Sequence, residues 1–512
     1  MGEKTTATFF AAELDGIYAR VIEVETDINI GLSSFTIVGL ADKAVSEARE
    51  RVASALKNCG VKPPTRENRR VTINLAPADI KKNGSQYDVA IALGYLRASG
   101  QIAIQDTKKR MVVGELALNG MVRPVVGALN MCCVAKENGF DEIIIPEENK
   151  KEVALIDGVK IIPVGHLREI IEYVEGRIQK GALESQQERI STSNTADISH
   201  IKGQQAAKRA LTIAAAGGHN IFMMGPPGTG KTMLAQGLVS LLSDLDRKEA
   251  IEVTRIHSAA GLLVGQPYVL QRPFRSPHHS ASTVAIVGGG QNPRPGEISL
   301  AHKGVLFMDE FPEFHRDVLE ALRQPLEQGV VIVSRAKQTV TFPAEFMLVA
   351  AANPCPCGYW GDDQKRCVCG AYEIQRYQKK LSGPLMDRID MHIWVGRVTS
   401  DDLEKKDDEY ETITRKETIE KARARQGDRC QRHQIKNVKN AHLSSKQAQE
   451  TIQLTPDAKN IMNQMLDKGH ISARGYFKML KVAQTIADCD QKDIVDTDCA
   501  NEAFSYRSRV GA

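Results

Sequence analysis

The chain has 512 residues, of which 42% are hydrophobic and 25% are charged, and its formal net charge is +4 at pH 7. This balance is typical of a soluble globular protein, and the length predicts two or three domains of about 100–200 residues each. The net charge is too small to indicate a nucleic-acid partner by itself, so any basic surface must arise from local clustering. No apolar run reaches the roughly 18 residues of a membrane span, and the N-terminal residues lack a signal-peptide pattern, so we expect a cytoplasmic protein.

The first part of the chain, residues 1–175, alternates short apolar runs with helical patterns, which predicts one domain of the α/β or α+β class. The predicted strands are Val21–Val24, Phe35–Val38, Val71–Leu75, Ile143–Ile145 and Lys160–Val164. The predicted helices are Ala41–Asn58 and Asp88–Ala98. Residues 176–197 are polar and lack hydrophobic periodicity, so we predict that they form a linker.

The second part of the chain, residues 198–399, alternates strand and helix patterns in the order expected for a parallel sheet covered by helices. Over residues 400–512 the strand patterns fade. Helical periodicity dominates there, as in Ala458–Leu466 and Tyr476–Ala487. We therefore predict an α/β core followed by a small helical subdomain.

A glycine-rich loop lies between the apolar strand Ile221–Met224 and the predicted helix Met233–Leu242. Its residues are Gly225, Pro226, Pro227, Gly228, Thr229, Gly230, Lys231 and Thr232. This strand–loop–helix context is typical of a P-loop, in which backbone N–H groups and a helix N-terminus surround the phosphates of ATP. We predict that Lys231 binds the β- and γ-phosphates and that Thr232 binds Mg²⁺.

Two further apolar strands end in polar residues. The strand Gly304–Met308 is followed by Asp309 and Glu310, and the strand Phe346–Ala352 is followed by Asn353. Since ligands bind at the carboxyl ends of parallel strands, we predict that Asp309 binds Mg²⁺ and Glu310 acts as general base. Asn353 is predicted to orient the attacking water. The alternatives are a helix N-cap at the acids and a simple turn before proline at Asn353.

Four cysteines form two closely spaced pairs, each followed by glycine. They are Cys355, Cys357, Cys367 and Cys369, within an insert at 355–369. Four thiolates suit tetrahedral Zn²⁺ in a structural site, although one-residue spacing within each pair is less common than two. Free thiols or a redox pair are the alternatives. His278 and His279 have no matching acids nearby in sequence, so we expect a packing or inter-subunit role for them.

Several long motifs together resemble one known family. They are Val38–Lys43, Asn74–Asp79, Gly217–Asn220, Phe274–His279, Gly288–Gly290, Pro295–His302, Leu322–Glu327, Asn353–Gly358 and Gly383–Asp390. These motifs resemble those of the magnesium-chelatase-like AAA+ proteins of the YifB/ComM family, and the resemblance covers nearly the whole chain. It implies an α/β AAA+ P-loop core with a helical lid, plus an N-terminal Lon-protease-like, ribosomal-S5-like α+β domain.

The resemblance also implies a function. Family members are similar to hexameric ring ATPases, and ComM-type members are branch-migration helicases that act on DNA in natural transformation and homologous recombination. The implied partners are single-stranded, duplex or branched DNA and five further copies of the chain. The runner-up is a magnesium-chelatase-type motor that remodels a partner protein for metal insertion. A third hypothesis is an ATP-gated scaffold without catalysis, which the presence of Glu310 and Arg388 disfavours.

Two arginines match catalytic positions of the family. Arg388 matches the arginine finger, which the resemblance implies contacts the γ-phosphate held by a neighbouring subunit. Arg474 matches the lid arginine called sensor 2, which would contact the same phosphates. The alternatives are an ion pair of Arg388 with Asp387 or Asp390 and a solvent-exposed Arg474 at a helix start.

Two basic segments are candidates for DNA contact. Val330–Ser334 and Thr339–Phe342 predict a hairpin whose turn carries Arg335 and Lys337. In similar ring motors a hairpin at this position points into the pore, so these two cations are predicted to contact DNA phosphates. The second segment contains Arg423, Arg425 and Arg429. Solvated surface charge is the alternative for both segments.

The N-terminal domain lacks the catalytic dyad of Lon-type peptidases. Lys82–Gln86 resembles the nucleophile segment, but the nucleophile position holds Gln86, with Ser85 one residue away. Downstream, Ala128–Asn130 occupies the place where the catalytic lysine is expected. We therefore predict a non-catalytic domain that helps ring assembly or DNA contact.

Overall fold

The computed structural model describes most of the chain, namely residues 6–40, 42–64, 68–104, 108–183, 197–290, 293–335, 338–381, 383–404, 410–436, 439–469 and 471–507. The described part is a mixed α/β structure with an N-terminal sheet, a parallel-sheet core and a C-terminal group of helices. The predicted fold class is thus confirmed. No helix among these residues is long and apolar enough to cross a membrane.

The N-terminal sheet has seven strands in the order β3-β4-β2-β1-β5-β8-β9. The strands of this part are β1 (Thr6–Asp15), β2 (Tyr18–Ile30), β3 (Ser34–Val38), β4 (Arg69–Ala76), β5 (Arg110–Val112), β6 (Glu115–Leu116), β7 (Val122–Arg123), β8 (Glu142–Pro146) and β9 (Lys160–Val164). The helices are α1 (Lys43–Ser46), α2 (Ala48–Asn58), α3 (Asp88–Ala98), α4 (Ala128–Glu137) and α5 (Leu167–Val174). The sheet is mixed, because β1, β2 and β4 pair antiparallel whereas β5, β8 and β9 pair parallel.

The prediction of one continuous helix over Ala41–Asn58 is wrong, because the structure has two helices, α1 and α2, in this range. Asp42 caps a first short helix, its side chain accepting a hydrogen bond from the Val45 amide, and the chain turns at Glu47 before α2 begins. Ala41 itself lies outside the described residues. The apolar periodicity continues through both helices, since Val45, Ala48 and Val52 are all buried. For this reason the pattern did not reveal the break.

The core contains a five-stranded sheet in the order β11-β14-β17-β10-β18, and its strands run parallel. The strands from this part of the chain are β10 (Ile221–Met224), β11 (Phe274–Arg275), β12 (Gly288–Gly289), β13 (Arg294–Pro295), β14 (Val305–Met308), β15 (Val330–Arg335), β16 (Gln338–Pro343), β17 (Met347–Ala352) and β18 (Met391–Trp394). The helices are α6 (Gln205–Gly217), α7 (Lys231–Ser240), α8 (Arg247–Ala259), α9 (Thr283–Val287), α10 (Glu297–Leu300), α11 (Arg316–Ala321), α12 (Arg323–Gln328), α13 (Ala371–Gln378) and α14 (Gly383–Met386). Every residue of β10, β14 and β17 is buried, which explains their continuous apolar sequences.

The C-terminal part is helical, as predicted. Its helices are α15 (Ser400–Glu404), α16 (Glu411–Arg432), α17 (Ser445–Thr451), α18 (Pro456–Asp467), α19 (Ala473–Cys489) and α20 (Thr497–Ser505). The second DNA candidate was the group of three arginines on the long helix α16. These arginines do not form a free basic face. Arg429 makes a bidentate pair with buried Asp488, Arg425 pairs with Asp493, and Arg423 donates to the carbonyl oxygen of Ala215. These cations hold α16 against its neighbours instead.

The N-terminal domain contacts the core at the turn between β1 and β2. A Cβ atom built on Gly16 would lie 2.5 Å from Val340 of β16, and the backbone φ of Gly16 is +68°. Ile17 is 4% exposed and packs with Val340 and Phe342 in one apolar cluster. The β15–β16 hairpin therefore has its base fixed against the N-terminal domain.

The first residues of the predicted linker also pack on the N-terminal domain. The Leu183 amide donates to the carbonyl oxygen of Ile161, and the Lys180 ammonium donates to the carbonyl oxygen of Pro163 at 2.6 Å. The predicted linker continues through residues 184–196, which lie outside the described residues, and ends at Asp197, which is described.

Candidate nucleotide site and its surroundings

The P-loop joins the carboxyl end of β10 to the first turn of α7. Gly228 and Gly230 have φ angles of +78° and +85°, a region that glycine enters without steric cost. Gly225 must also lack a side chain, because a Cβ atom there would lie 2.1 Å from the carbonyl oxygen of Val395. The sequence thus forms a tight loop at a helix N-terminus, where backbone N–H groups and the helix dipole favour phosphate.

Lys231 lies inside this loop. Its ammonium group donates to the carbonyl oxygens of Gly225 and Pro226, each at 2.8 Å, and to the side-chain oxygen of Asn353 at 3.3 Å. Burial lowers the pKa of Lys231, and the negative charge of Asp309 opposes that shift. The lysine charge is therefore held among neutral oxygens at the position where the motif expects phosphate.

The acidic residues predicted from the sequence come together beside the P-loop. The Thr232 hydroxyl donates to a carboxylate oxygen of Asp309 at 3.1 Å, which places both predicted Mg²⁺ ligands side by side. Glu310 follows in a left-handed backbone conformation with φ of +50°, an uncommon state for a residue with a side chain. Glu310 and Asn353 both line one cavity of about 470 Å³, so the structure brings the predicted general base and the predicted water-orienting amide together.

Sequence reasoning missed a partner of Glu310. The imidazole Nδ1 of His279 lies 3.0 Å from the carboxylate Oε2 of Glu310. His279 was expected to have only a packing or inter-subunit role. The sequence did contain one clue, which is position along the chain. His279 follows strand β11, and β11 is the parallel neighbour of β14, the strand that leads to Glu310.

Arg388 and Arg474 converge on one carboxylate. The Arg388 guanidinium lies 2.7 Å from Oε1 of Glu327, and the Arg474 guanidinium lies 2.5 Å from the same oxygen. Neither alternative from the sequence applies to Arg388 here, since Asp387 pairs with Arg507 at 3.8 Å and Asp390 pairs with Lys478. The two arginines thus form one cationic pair, held together by Glu327 of α12 rather than by the P-loop of their own chain.

The four cysteines of the insert form a compact cluster. Their sulfur atoms all lie within 4.8 Å of one another, and Cys355 lies 3.4 Å from Cys357 and 3.7 Å from Cys367. Tetrahedral zinc with bonds of about 2.3 Å needs sulfur separations of about 3.8 Å. Backbone amides also point at sulfur, the Trp360 amide at Cys355 and the Cys357 amide at Cys369. The residues present therefore fit a structural zinc ion. The other six cysteines are buried, as expected for small apolar residues.

Two hydrogen-bonded amides also affect thiol chemistry in this cluster. Burial acts to raise the pKa of Cys357, but hydrogen bonds from the amides of Val368 and Tyr359 and from the Cys355 and Cys369 side chains together lower it to about 6, whereas the pKa values of Cys367 and Cys369 are raised. A thiolate at neutral pH is the form that binds metal. The cluster lies next to the nucleotide loop, since a Cβ atom on Gly358 would lie 2.8 Å from Pro227.

The predicted hairpin forms as β15 and β16, in antiparallel register from Val330↔Pro343 to Arg335↔Gln338. Lys337 lies outside the described residues, and of Arg335 the structure describes the backbone alone. Their predicted contact with DNA stays a prediction.

The segment of the N-terminal domain that resembles the Lon-type nucleophile segment forms internal hydrogen bonds. The Ser85 hydroxyl donates to Glu115, and the Gln86 amide donates to Glu13 at 2.8 Å. The Lys82 ammonium donates to the carbonyl oxygen of Pro77, and its side chain is buried. Since Ser85 faces a carboxylate rather than a lysine, the arrangement does not supply the base that a Ser–Lys dyad needs.

Comparisons with known proteins agree with this architecture. The family model for magnesium chelatase subunit ChlI matches residues 197–403, that for subunit ChlI of Mg-chelatase matches 24–149, and that for the ChlI C-terminal region matches 410–507. The chain is 43% identical to protein YifB of Escherichia coli (strain K12), over 96% of this chain and 95% of the relative. It is 41% identical to competence protein ComM of Haemophilus influenzae, over 97% of this chain and 96% of the relative.

A shorter similarity involves a protease. The chain is 32% identical to Lon protease 2 of Bacillus subtilis over 126 residues, which are 24% of this chain and 22% of that protein. This agrees with an N-terminal Lon-like α+β fold. Since the matches to YifB and ComM extend over nearly the full length of both chains, the protein belongs to the YifB/ComM family of magnesium-chelatase-like AAA+ ATPases.

Proposed function

We propose that this AAA+ ATPase is a hexameric motor that couples ATP hydrolysis to the movement of branched DNA, as a branch-migration helicase in natural transformation and homologous recombination. The observation that carries the proposal is the arginine pair on Glu327, because two cations suited to a γ-phosphate lie on a carboxylate of their own chain. A ring in which each chain completes its neighbour's site accounts for that arrangement. The DNA substrate rests on the relative named competence protein ComM.

Within one chain the residues have separate roles. Lys231 binds the β- and γ-phosphates, and Thr232 with Asp309 holds Mg²⁺, which neutralises charge on the phosphate oxygens. Glu310 polarises the attacking water as general base, and Asn353 orients that water. The contacts of Lys231 with Asn353 and of Thr232 with Asp309 support these assignments, because each pairs residues from different strands at one edge of the sheet.

Between chains, Arg388 and Arg474 stabilise charge that develops on the transferred phosphoryl group. In the isolated chain they share a carboxylate, which stands in for a phosphate as an anionic, oxygen-bearing acceptor. Exchanging the carboxylate for a phosphate held by the neighbour keeps both guanidinium groups on an anionic oxygen acceptor.

The four-cysteine cluster binds one structural Zn²⁺. Four thiolates leave no open position on the metal, so it supplies a rigid loop rather than catalysis. That loop contacts Pro227 through Gly358 and leads directly into α13, which lines the cavity beside Glu310 through Arg376 and Tyr377.

The hairpin β15–β16 contacts DNA through Arg335 and Lys337. It lies in the chain between β14 and β17, the strands that lead to Glu310 and Asn353. Only residues 344–346 separate it from β17, so a change at the nucleotide site can reach it through that strand. Non-specific attraction to phosphates suits a motor that must move over any sequence.

The second candidate is a magnesium-chelatase-type motor that acts on a protein partner, and the family models favour it by name. The two hypotheses differ in what stimulates hydrolysis, so ATPase rates with single-stranded, duplex and four-way-junction DNA separate them. Stimulation that is greatest with the junction supports branch migration, and no response to any DNA contradicts it.

The first prediction separates nucleotide binding from hydrolysis. Lys231→Ala should abolish ATP binding, because the phosphates lose their point charge. Glu310→Gln should bind ATP normally and hydrolyse it very slowly, since the carboxylate that polarises water is lost. Binding of a fluorescent ATP analogue and phosphate release measure the two steps. Equal loss of binding in both variants would show that the roles are not separate.

The second prediction concerns the shared site. Arg388→Ala should leave ATP binding intact and reduce hydrolysis by roughly 10³-fold or more, the scale of a lost arginine finger. Arg316→Ala is the matched control, because Arg316 is exposed and pairs with Glu320 on its own helix. Mixing Arg388→Ala with Glu310→Gln protein should restore activity in hybrid rings, where each variant supplies what its neighbour lacks. The absence of rescue at every mixing ratio would place Arg388 within one subunit.

The third prediction concerns metal content. Elemental analysis of protein purified without chelator should find about one zinc ion per chain. Cys357→Ser should lower the zinc content and the thermal stability together, because the metal loses a thiolate ligand. Cys133→Ala, a buried cysteine outside the cluster, should retain the full metal content. Wild-type protein without any metal would remove the assignment.

The fourth prediction tests the hairpin. The double variant Arg335→Ala with Lys337→Ala should weaken DNA binding and reduce its salt dependence, since each chain loses contacts to about two phosphates. Basal ATPase should persist, whereas DNA stimulation and junction unwinding should fall together. Arg316→Ala with Lys446→Ala removes the same charge from exposed sites elsewhere and should behave like wild type. Full unwinding with an unchanged salt slope would exclude this hairpin as the DNA contact.

A further inference from the structure

Three basic side chains meet at the amino edge of the core sheet, on the side opposite to the nucleotide site. Arg272 precedes β11 and belongs to the core, whereas Arg423 lies on α16 and Lys439 follows that helix. Both arginines contact Ser243, since Arg272 donates to its carbonyl oxygen at 2.7 Å and Arg423 donates to its hydroxyl at 2.9 Å. Because Ser243 is exposed, this junction between the core and the helical lid is open to solvent.

The two arginines differ in how their charge is compensated. The carboxylate of Glu249 lies 2.8 Å from the Arg272 guanidinium, so this cation has a counter-ion. Arg423 donates only to neutral oxygens, the Ser243 hydroxyl and the carbonyl of Ala215 at 3.0 Å, and its buried Nε has no acceptor among the described residues. A guanidinium has five N–H donors, so most of those on Arg423 are unused.

The ammonium group of Lys439 makes no hydrogen bond or ion pair with the part of the chain that the structure describes. Its side chain is partly buried and covers Gly218, where a Cβ atom would lie 2.9 Å from the Lys439 Cδ. Burial, and then the positive charges of Arg423 and Arg272, lower the pKa of Lys439 to about 8. At neutral pH the ammonium is therefore charged beside two further cations, an arrangement that a bound anion stabilises.

The C-terminus of α6 explains the arginine but not the lysine. Basic side chains often donate to the last carbonyl groups of a helix. Two of these groups in α6 already have donors, since Arg423 donates to Ala215 and the Gln426 amide donates to the next carbonyl oxygen. Arg423 thus has a structural role at this helix end, whereas Lys439 donates to none of its carbonyl oxygens.

We propose that Lys439 and Arg423, with Arg272 beside them, bind one phosphate-type oxyanion at this junction. The ligand is a phosphate group, either the free ion or part of a nucleic-acid backbone. Guanidinium and ammonium groups together supply several charge-assisted hydrogen bonds to its oxygens. Because Arg272 belongs to the core and the other two cations belong to the lid, the bound anion fastens the lid to the core. The site is separate from the P-loop, and the inference does not depend on the proposed motor function.

Thermal unfolding of the full-length protein tests the site, with inorganic phosphate as the probe. The P-loop also attracts phosphate, so every protein compared carries Lys231→Ala, which weakens that site. At constant ionic strength, replacing chloride by phosphate should raise the melting temperature of this protein in a saturable way. Adding Lys439→Met should reduce the gain by roughly 2–4 °C, because methionine keeps the length of the side chain and lacks its charge. Adding Lys446→Met, at an exposed lysine, should retain the full gain and is the matched control.

The same variants also differ without phosphate. In chloride buffer Lys439→Met should melt at a higher temperature than Lys446→Met, because it removes a partly buried charge that has no partner. A lower melting temperature of Lys439→Met in chloride would contradict the proposal, since it would mean that the chain itself stabilises this charge. If Lys439→Met does not fold, Lys439→Gln provides the uncharged comparison.

A single-stranded oligonucleotide distinguishes the two sources of the phosphate group. A gain with inorganic phosphate that depends on Lys439 assigns the site to the free ion. If phosphate produces no gain, weaker oligonucleotide binding by Lys439→Met, with a salt slope smaller by about one, assigns it to a nucleic-acid backbone. Equal responses of Lys439→Met and Lys446→Met to both probes would overturn the site. A Lys439-dependent response in a protein whose wild-type ATPase ignores all DNA would overturn the proposed function alone.

Discussion

The parallel core sheet determines where the polar groups of the nucleotide site lie. Strand β17 is inserted between β10 and β14, so the P-loop, the acids and Asn353 leave the same edge of the sheet from three adjacent strands. The strands are buried on both faces and carry no polar side chains before they end. A shift in register would therefore move Lys231, Asp309 and Asn353 apart and also bury polar residues. Core packing and site geometry depend on the same constraint.

The proposed phosphate-binding lysine and the two proposed charge-stabilising arginines lie in different structural surroundings. Lys231 is held by carbonyl oxygens of its own loop, in a buried position that is defined by the fold. Arg388 and Arg474 come from the end of the core and from the helical lid, and only the carboxylate of Glu327 connects them among their described ion pairs. We propose that nucleotide state and subunit contact are coupled through this junction, because it joins the lid to the core.

The sequence predicted those parts of the site that depend on local patterns. The P-loop, the strands ending at Asp309 and Asn353 and the hairpin are each specified by a short apolar run and the residues beside it. The pairing of His279 with Glu310 depends on which strands are neighbours, and the convergence on Glu327 depends on lid packing. Neither has a local signature. Charge alone also misled, because Arg423 and Arg429 appear as a basic segment in sequence but are paired with groups of adjacent elements.

In the proposed motor, hydrolysis requires a site completed by a second copy of the chain. The most direct test is the ATPase rate per chain over a wide range of protein concentration, with light scattering on the same samples. The rate per chain should be very low where the protein is monomeric and should rise steeply as rings form. A constant rate per chain, with full activity in samples that scatter as monomers, would contradict the claim.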